Sequence, residues 1–161
     1  MSRQKLLVIG NGMVGQRLLE YVTGESHDYE ITVLCEEPRP AYDRVQLTSF
    51  FSGKSAQDLS MVETDFFDAN DITIHLNDKA AGIDRAAKQV ATAQGRVLAY
   101  DKLVLATGSY PFVPPVPGRD RPSCFVYRTI EDLEAIRTAA ASGKIGAVGR
   151  IPKWAKRKFA I

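Results

Sequence analysis

Leu6-Leu7-Val8-Ile9-Gly10-Asn11-Gly12-Met13-Val14-Gly15 is the stretch on which the fold turns. Its four leading apolar residues read as a short parallel strand, because a strand covered on both faces carries no polar alternation. The next six fit G-x-G-x-x-G. In that pattern one glycine makes the tight turn, one lets backbone approach a pyrophosphate, and one lets a helix pack closely on the strand. Met13 to Val22 then has helical spacing, with Val14, Leu18, Leu19 and Val22 expected on one face. Such a helix offers unpaired N–H groups and a positive dipole end to phosphates. Ile31 to Leu34 is a second strand, and Glu36 stands about 20 residues past Gly15, where a carboxylate binds ribose hydroxyls. Glu37 could serve instead. Gly10, Asn11, Gly12, Met13, Val14, Gly15 and Glu36 are therefore candidate dinucleotide-binding residues. The plainer alternatives are a glycine turn that only packs a helix on a sheet, and a solvated loop acid.

At 161 residues, with 45% hydrophobic and 25% charged side chains, the chain is long enough for one domain with a sizeable core. The formal net charge of +2 hides an asymmetry. Arg150, Lys153, Lys156, Arg157 and Lys158 crowd the last dozen or so residues without an acid, so the rest is net acidic. No stretch approaches the ~20 apolar residues of a membrane span, and Met1 to Lys5 lead straight into the first strand, leaving no room for a signal peptide. A cytoplasmic chain is expected, with no membrane or nucleic-acid partner and with Cys35 and Cys124 as reduced, buried thiols.

Pro38 and Pro40 end the second strand, and the loop carrying Tyr42, Asp43 and Arg44 leaves from a carboxyl edge of the sheet. An Arg there can fork onto a pyrophosphate, or form a surface ion pair. Ser60 to Asn70 is expected to contain a short helix with Phe66 and Phe67 in the core, and Ile72 to Leu76 a third parallel strand. His75 reads as structural. Lys79 to Ala99 reads as a three-stranded antiparallel meander covering one sheet face. Leu103 to Ala106 is a buried strand, ending in Thr107-Gly108, small residues that let backbone approach a cofactor. Pro111, Pro114, Pro115 and Pro117 form a rigid connector closed by Gly118. Thr129 caps a helix whose apolar face is Leu133, Ile136 and Ala140, and Lys144 to Gly149 looks like one more parallel strand. The expected class is α/β, a Rossmann-like parallel sheet with helices and an inserted small antiparallel β-meander.

Taken in order, five stretches carry a family resemblance: Val8 to Gly15, Cys35-Glu36-Glu37-Pro38, Ala41-Tyr42-Asp43-Arg44-Val45, Tyr100 to Pro111, and Cys124 to Leu133. From about Lys5 to Val148 the chain resembles the N-terminal, FAD-binding part of the large subunit of NAD(P)H-dependent assimilatory nitrite reductase. More broadly it is similar to the two-dinucleotide-domain flavoprotein reductases, with an incomplete FAD/NAD(P)-binding fold. The resemblance implies FAD with its pyrophosphate on Gly10 to Gly15 and its adenosine ribose on Glu36. It also implies Arg44 at the pyrophosphate or flavin end, Ala80 near the adenine through backbone, and Ala106, Thr107 and Gly108 lining the cofactor. In the full-length family protein it implies NAD(P)H as donor, an iron–sulfur cluster and sirohaem, reduction of nitrite to ammonia, and a small-subunit partner.

Val45 stands near the cysteine position of related thiol reductases, which argues against disulfide or peroxide chemistry. Thr48-Ser49 stands where ferredoxin and rubredoxin reductases often carry lysine. After Val148 the family continues into a second glycine-rich turn, whereas this chain reads Gly149-Arg150-Ile151-Pro152, and Pro152 opposes a helix. The expected organisation is an FAD domain over 1–148, lacking the NAD(P)H domain and closing FAD segment. Residues 149–161 would be a basic non-family tail left by an interrupted reading frame. A non-functional remnant and a stand-alone FAD- or NAD-dependent domain stay open. No His, Lys or Tyr constellation for hydride-transfer chemistry is evident, and catalysis by this chain alone is not expected.

Overall fold

The structure, a computed structural model, describes residues 3–25 and 28–143. It divides into two units, Met1–Phe112 and Val113–Ile161. In the first, strand β1 (Gln4–Ile9) leads through the glycine turn into helix α1 (Met13–Gly24) and strand β2 (Tyr29–Leu34). A 3-10 helix (Arg44–Ser52), the four-residue helix α2 (Phe66–Ala69) and strand β3 (Ile72–His75) follow. Strands β4 (Ala80–Asp84), β5 (Gln89–Thr92) and β6 (Val97–Ala99) precede strand β7 (Lys102–Leu105). The main sheet is parallel in the order β3-β2-β1-β7, while β4-β5-β6 form a separate antiparallel sheet.

Strand alternation divides the core between the two faces of the parallel sheet. Leu6, Val8, Ile31 and Val33 point to the side of Leu19 from α1 and Phe67 from α2. Leu7, Ile9 and Leu34 point the other way, onto Val90 of the meander, with Ala80, Leu98, Tyr100 and Leu103 packed around them. Each of the fully buried side chains contributes about 1.5–3 kcal/mol through loss of water contact. The expected α/β architecture, the third parallel strand, the meander over one face and the core position of Phe67 are all found.

Several expectations need correction. Val14 is not on the core face of α1: it is 76% exposed, and Gly15, Gln16 and Leu19 are the buried positions, with Leu18 and Val22 partly buried beside them. Gly15 and Gln16 take the buried positions of the first turn, Gly15 against the Gly10 carbonyl and Gln16 bonded to the Asn11 amide. The short helix expected between Ser60 and Asn70 is found as α2, Phe66–Ala69, and ahead of it Ser60 turns the chain locally: its hydroxyl accepts from Val62 N–H at 3.2 Å and donates to Val62 carbonyl at 2.9 Å. Such side-chain bonds compete with helix formation. Ser60 instead pairs with Tyr42 in an antiparallel bridge. The 3-10 helix was not foreseen; Asp43 caps it by accepting from Val45 and Gln46 N–H groups at 2.8 and 3.2 Å. Strand β7, the last strand of the sheet among the described residues, is not fully buried: Leu103 and Val104 are half-buried and Leu105 is 61% exposed. Cys35 is buried as expected, whereas Cys124 is exposed; both are free thiols.

In the second unit, helix α3 (Ile130–Ser142) begins with a reciprocal capping box. Thr129 Oγ1 accepts from Asp132 N–H at 3.2 Å, and the Asp132 carboxylate accepts from Thr129 N–H at 2.8 Å. Ile130 and Leu133 are buried, Ile136 is half-buried and Ala140 is exposed, so the apolar face does not reach Ala140. The strand expected over Lys144 to Gly149 and the basic tail lie outside the described residues.

Candidate cofactor-binding site

Parallel pairing brings the candidate residues to one edge. Ile9 lies opposite Leu34 of β2 and Leu105 of β7, so the chain leaves all three strands side by side through Gly10, Cys35 and Ala106. Gly10 N–H donates to Leu34 carbonyl at 2.8 Å and Ala106 N–H to Ile9 carbonyl at 2.8 Å, extending the ladder past the strand ends.

The three glycines of the turn are used differently. Gly10 has φ +105°, and a Cβ there would lie 2.3 Å from the Ala106 carbonyl oxygen. Only glycine fits that conformation and that gap. A Cβ on Gly15 would meet the Gly10 carbonyl oxygen at 2.3 Å, so α1 presses directly on the turn. Gly12 is the opposite case: its backbone is extended, and a Cβ there would find nothing within 4 Å. The open space lies at the N-terminus of α1, which has neither a side-chain cap nor an acid in its first turn. Helix α3, by contrast, is closed by its capping box. The uncovered N–H groups and open cradle fit a phosphate-bearing ligand.

Asn11 is buried and does not face the cradle. Its amide donates to Gln16 Oε1 at 3.2 Å, and its Oδ1 accepts from Ala41 N–H at 2.8 Å, binding the turn to the loop after β2. Met13 is half-buried, Val14 exposed, and both stand in the first turn of α1 at the cradle. Ala106 is half-buried against Gly10, while Thr107 and Gly108 are exposed beyond it. Ala80, at the start of β4, packs beside Leu7, Ile9 and Leu34.

The two acids after β2 have separate partners. Glu36 is about half exposed and accepts from Lys79 Nζ at 3.0 Å and from the Tyr110 hydroxyl. These bonds, led by that from Tyr110, hold its carboxyl below the usual glutamate range. Glu37 turns away. It accepts from Arg44 and, at 2.7 Å, from the Tyr42 hydroxyl, which itself accepts from Arg44 at 3.0 Å. The Arg44 guanidinium lies 4.7 Å from the Tyr42 ring centre. Glu37 is thus engaged in fixing its own loop, and Glu36 is the carboxylate available at the edge. Arg44 starts the 3-10 helix and is ion-paired with Glu37. Cys35 is buried, and burial pushes its thiol above the ordinary range, so it carries no reactive thiolate.

Lys79 and Tyr110 were not foreseen as part of this edge. No motif marks them: they come from the link before β4 and the segment after β7, and only the fold sets them beside Glu36. Among the described residues no group of His, Cys, Asp and Glu is arranged to hold a metal ion, and no helix is long and apolar enough to cross a membrane.

The chain is similar to proteins of known kind. Over 150 residues the chain is 49% identical to the nitrite reductase (NADH) large subunit of Escherichia coli (strain K12), covering 92% of this chain and 18% of that protein. It is 51% identical over 150 residues to the nitrite reductase [NAD(P)H] large subunit of Klebsiella oxytoca, covering 92% and 16%. The chain therefore spans less than a fifth of the length of these relatives. Among solved structures, the NADH:rubredoxin oxidoreductase of Clostridium acetobutylicum superposes with a TM-score of 0.77 at 27% identity, over 88% of this chain and 37% of that one. The glycine turn, the parallel sheet and the meander all fall within residues 4–150, which match the pyridine nucleotide-disulphide oxidoreductase family, and to that family this chain belongs.

Proposed function

We propose that this chain binds FAD as the dinucleotide-binding segment of an NAD(P)H-dependent nitrite reductase large subunit. The open cradle at Gly12 carries the reading. A glycine with ordinary backbone angles and empty space around it has no structural need to be glycine, but a pyrophosphate resting there would require it. Gly10 to Gly15 would hold the pyrophosphate through backbone N–H groups, with Met13 and Val14 in the facing turn. Glu36 would accept from the adenosine ribose hydroxyls, with Ala80 near the adenine. Ala106, Thr107 and Gly108 would border the cofactor where β7 ends. Glu37 and Arg44 would act through the loop they brace, with Arg44 placed toward the pyrophosphate or flavin end.

When bound, FAD supplies two-electron acceptance from a nicotinamide donor and one-electron delivery to metal centres. This chain's share is to grip and orient the dinucleotide and to neutralise its phosphates at a helix end. In the full-length relatives' setting, the donor domain, the iron–sulfur cluster, the sirohaem and a small subunit would complete nitrite reduction to ammonia. Over 1–148 the chain would be the cofactor-holding part of that path and would not catalyse alone.

Comparison of FAD with FMN tests the reading, since FMN lacks the adenosine and the second phosphate. Saturable FAD binding with FMN at least tenfold weaker is expected. Equal affinities would remove the pyrophosphate and ribose contacts from the account.

A further inference from the structure

Both oxygens of the Glu36 carboxylate are already engaged, and the engagement is closed on itself. Lys79 Nζ donates to Glu36 Oε1 at 3.0 Å and to the Tyr110 hydroxyl at 3.1 Å, and that hydroxyl donates to Glu36 Oε2. Lys79 Nζ also lies 5.1 Å from the centre of the Tyr110 ring. The three side chains come from three separate segments, after β2, before β4 and after β7.

Lys79 is set in place by backbone and by a buried acid. Asp78 N–H donates to Cys35 carbonyl at 3.0 Å and Asn77 N–H to Glu37 carbonyl at 3.1 Å, so the link before β4 runs alongside the end of β2. The fully buried Asp78 carboxylate accepts from Gln94 N–H at 3.2 Å and Arg96 at 2.6 Å, which ties the same link to the turn between β5 and β6.

We infer that Lys79 and Tyr110 are positioning residues that orient the Glu36 carboxylate for the ribose hydroxyls of the cofactor. This rests on the FAD-binding reading above. An ionised carboxylate has about four acceptor sites. Lys79 and Tyr110 take one on each oxygen, leaving one on each for a vicinal diol that donates two hydrogen bonds. An unheld glutamate at a half-exposed position would sample several rotamers, and ordering it would weaken binding. Lys79 and Tyr110 are also, among the described residues, the charged or titratable groups that act on Glu36, and both favour its ionised form. Glu37 faces Arg44 and Tyr42, and Asp78 faces Arg96.

The test has two readouts on the full chain: the Glu36 carboxyl midpoint by carbon-13 NMR without FAD, assigned with Glu36→Gln, and FAD affinity between pH 4 and 8. Lys79→Met should raise the Glu36 midpoint and move the acid limb of FAD binding to higher pH by the same amount. Affinity at pH 7 should fall roughly two- to fivefold, the scale of one exposed ion pair. Tyr110→Phe should do likewise, and Lys79→Arg should restore both readouts. An unmoved midpoint in Lys79→Met, or a loss of affinity equal at every pH, overturns the positioning role. A wild-type chain whose midpoint responds to Lys79→Met but which takes up no FAD overturns the FAD reading, and leaves the three residues as a structural ion-pair cluster.

Discussion

Asn11 Oδ1 accepts a 2.8 Å hydrogen bond from the backbone N–H of Ala41, and both residues are buried. A side chain inside the glycine turn thereby serves a backbone group in the loop after β2, which would otherwise be cut off from water. Asn11→Ala should therefore leave a buried donor unsatisfied and destabilise the chain by about 1–3 kcal/mol. The urea unfolding midpoint should fall with an unchanged slope. An unaltered midpoint would show that the contact contributes nothing.

The three turn glycines should separate by experiment. Gly12→Val should lower stability by no more than about 1 kcal/mol, the scale of a weaker helix N-cap, as its Cβ meets no neighbour. It should nonetheless abolish FAD uptake. Gly15→Ala should cost about 1–3 kcal/mol, because backbone, not a yielding side chain, stands 2.3 Å from the new atom. Thermal unfolding alongside FAD titration of the two variants distinguishes a cofactor glycine from a packing one.

Glu37 and Arg44 are less than a quarter exposed and bonded to one another and to Tyr42. A double-mutant cycle with Glu37→Gln and Arg44→Met should give a coupling of about 0.5–1.5 kcal/mol in stability, above the level of a typical surface pair. Additive effects would mean that the two side chains do not depend on each other.

Asp78 supplies a pH dependence. Burial works to raise its carboxyl, but hydrogen bonds from Thr92, Arg96 and Gln94 N–H prevail and hold it below the ordinary aspartate range. A carboxyl lowered on folding stabilises fully above its unfolded value of about 3.9, and that stabilisation is lost as pH falls through the folded value. The stability gap between wild type and Asp78→Asn should be constant above about pH 5 and narrow steadily below pH 4. A gap that ignored acid would mean that the charge contributes nothing.

Much of this edge was legible in the residues alone. The apolar run, the glycine spacing and the acid at Glu36 are local signals, and parallel pairing sets the ends of β1, β2 and β7 side by side. What stayed hidden depends on contacts between distant segments. Val14 fits a helical apolar stripe by spacing, yet Gly15 and Gln16 take the buried side of its turn, and periodicity is blind to where a helix starts relative to its neighbours. Leu103 to Ala106 has the composition of a fully covered strand, yet Leu105 is 61% exposed, since composition does not report what packs on each side of a strand. Lys79 and Tyr110 meet Glu36 across three loops, which no spacing rule reports. Asp43 as a cap is a local signal as well, an acid two residues before Val45 whose carboxylate accepts from the Val45 and Gln46 N–H groups.

The most direct measurement is an equilibrium titration of the folded chain with FAD, followed by flavin fluorescence, with NAD as competitor. Saturable one-to-one binding that excess NAD does not displace is the predicted result. A folded chain that shows no saturation with FAD, or that prefers NAD, contradicts it.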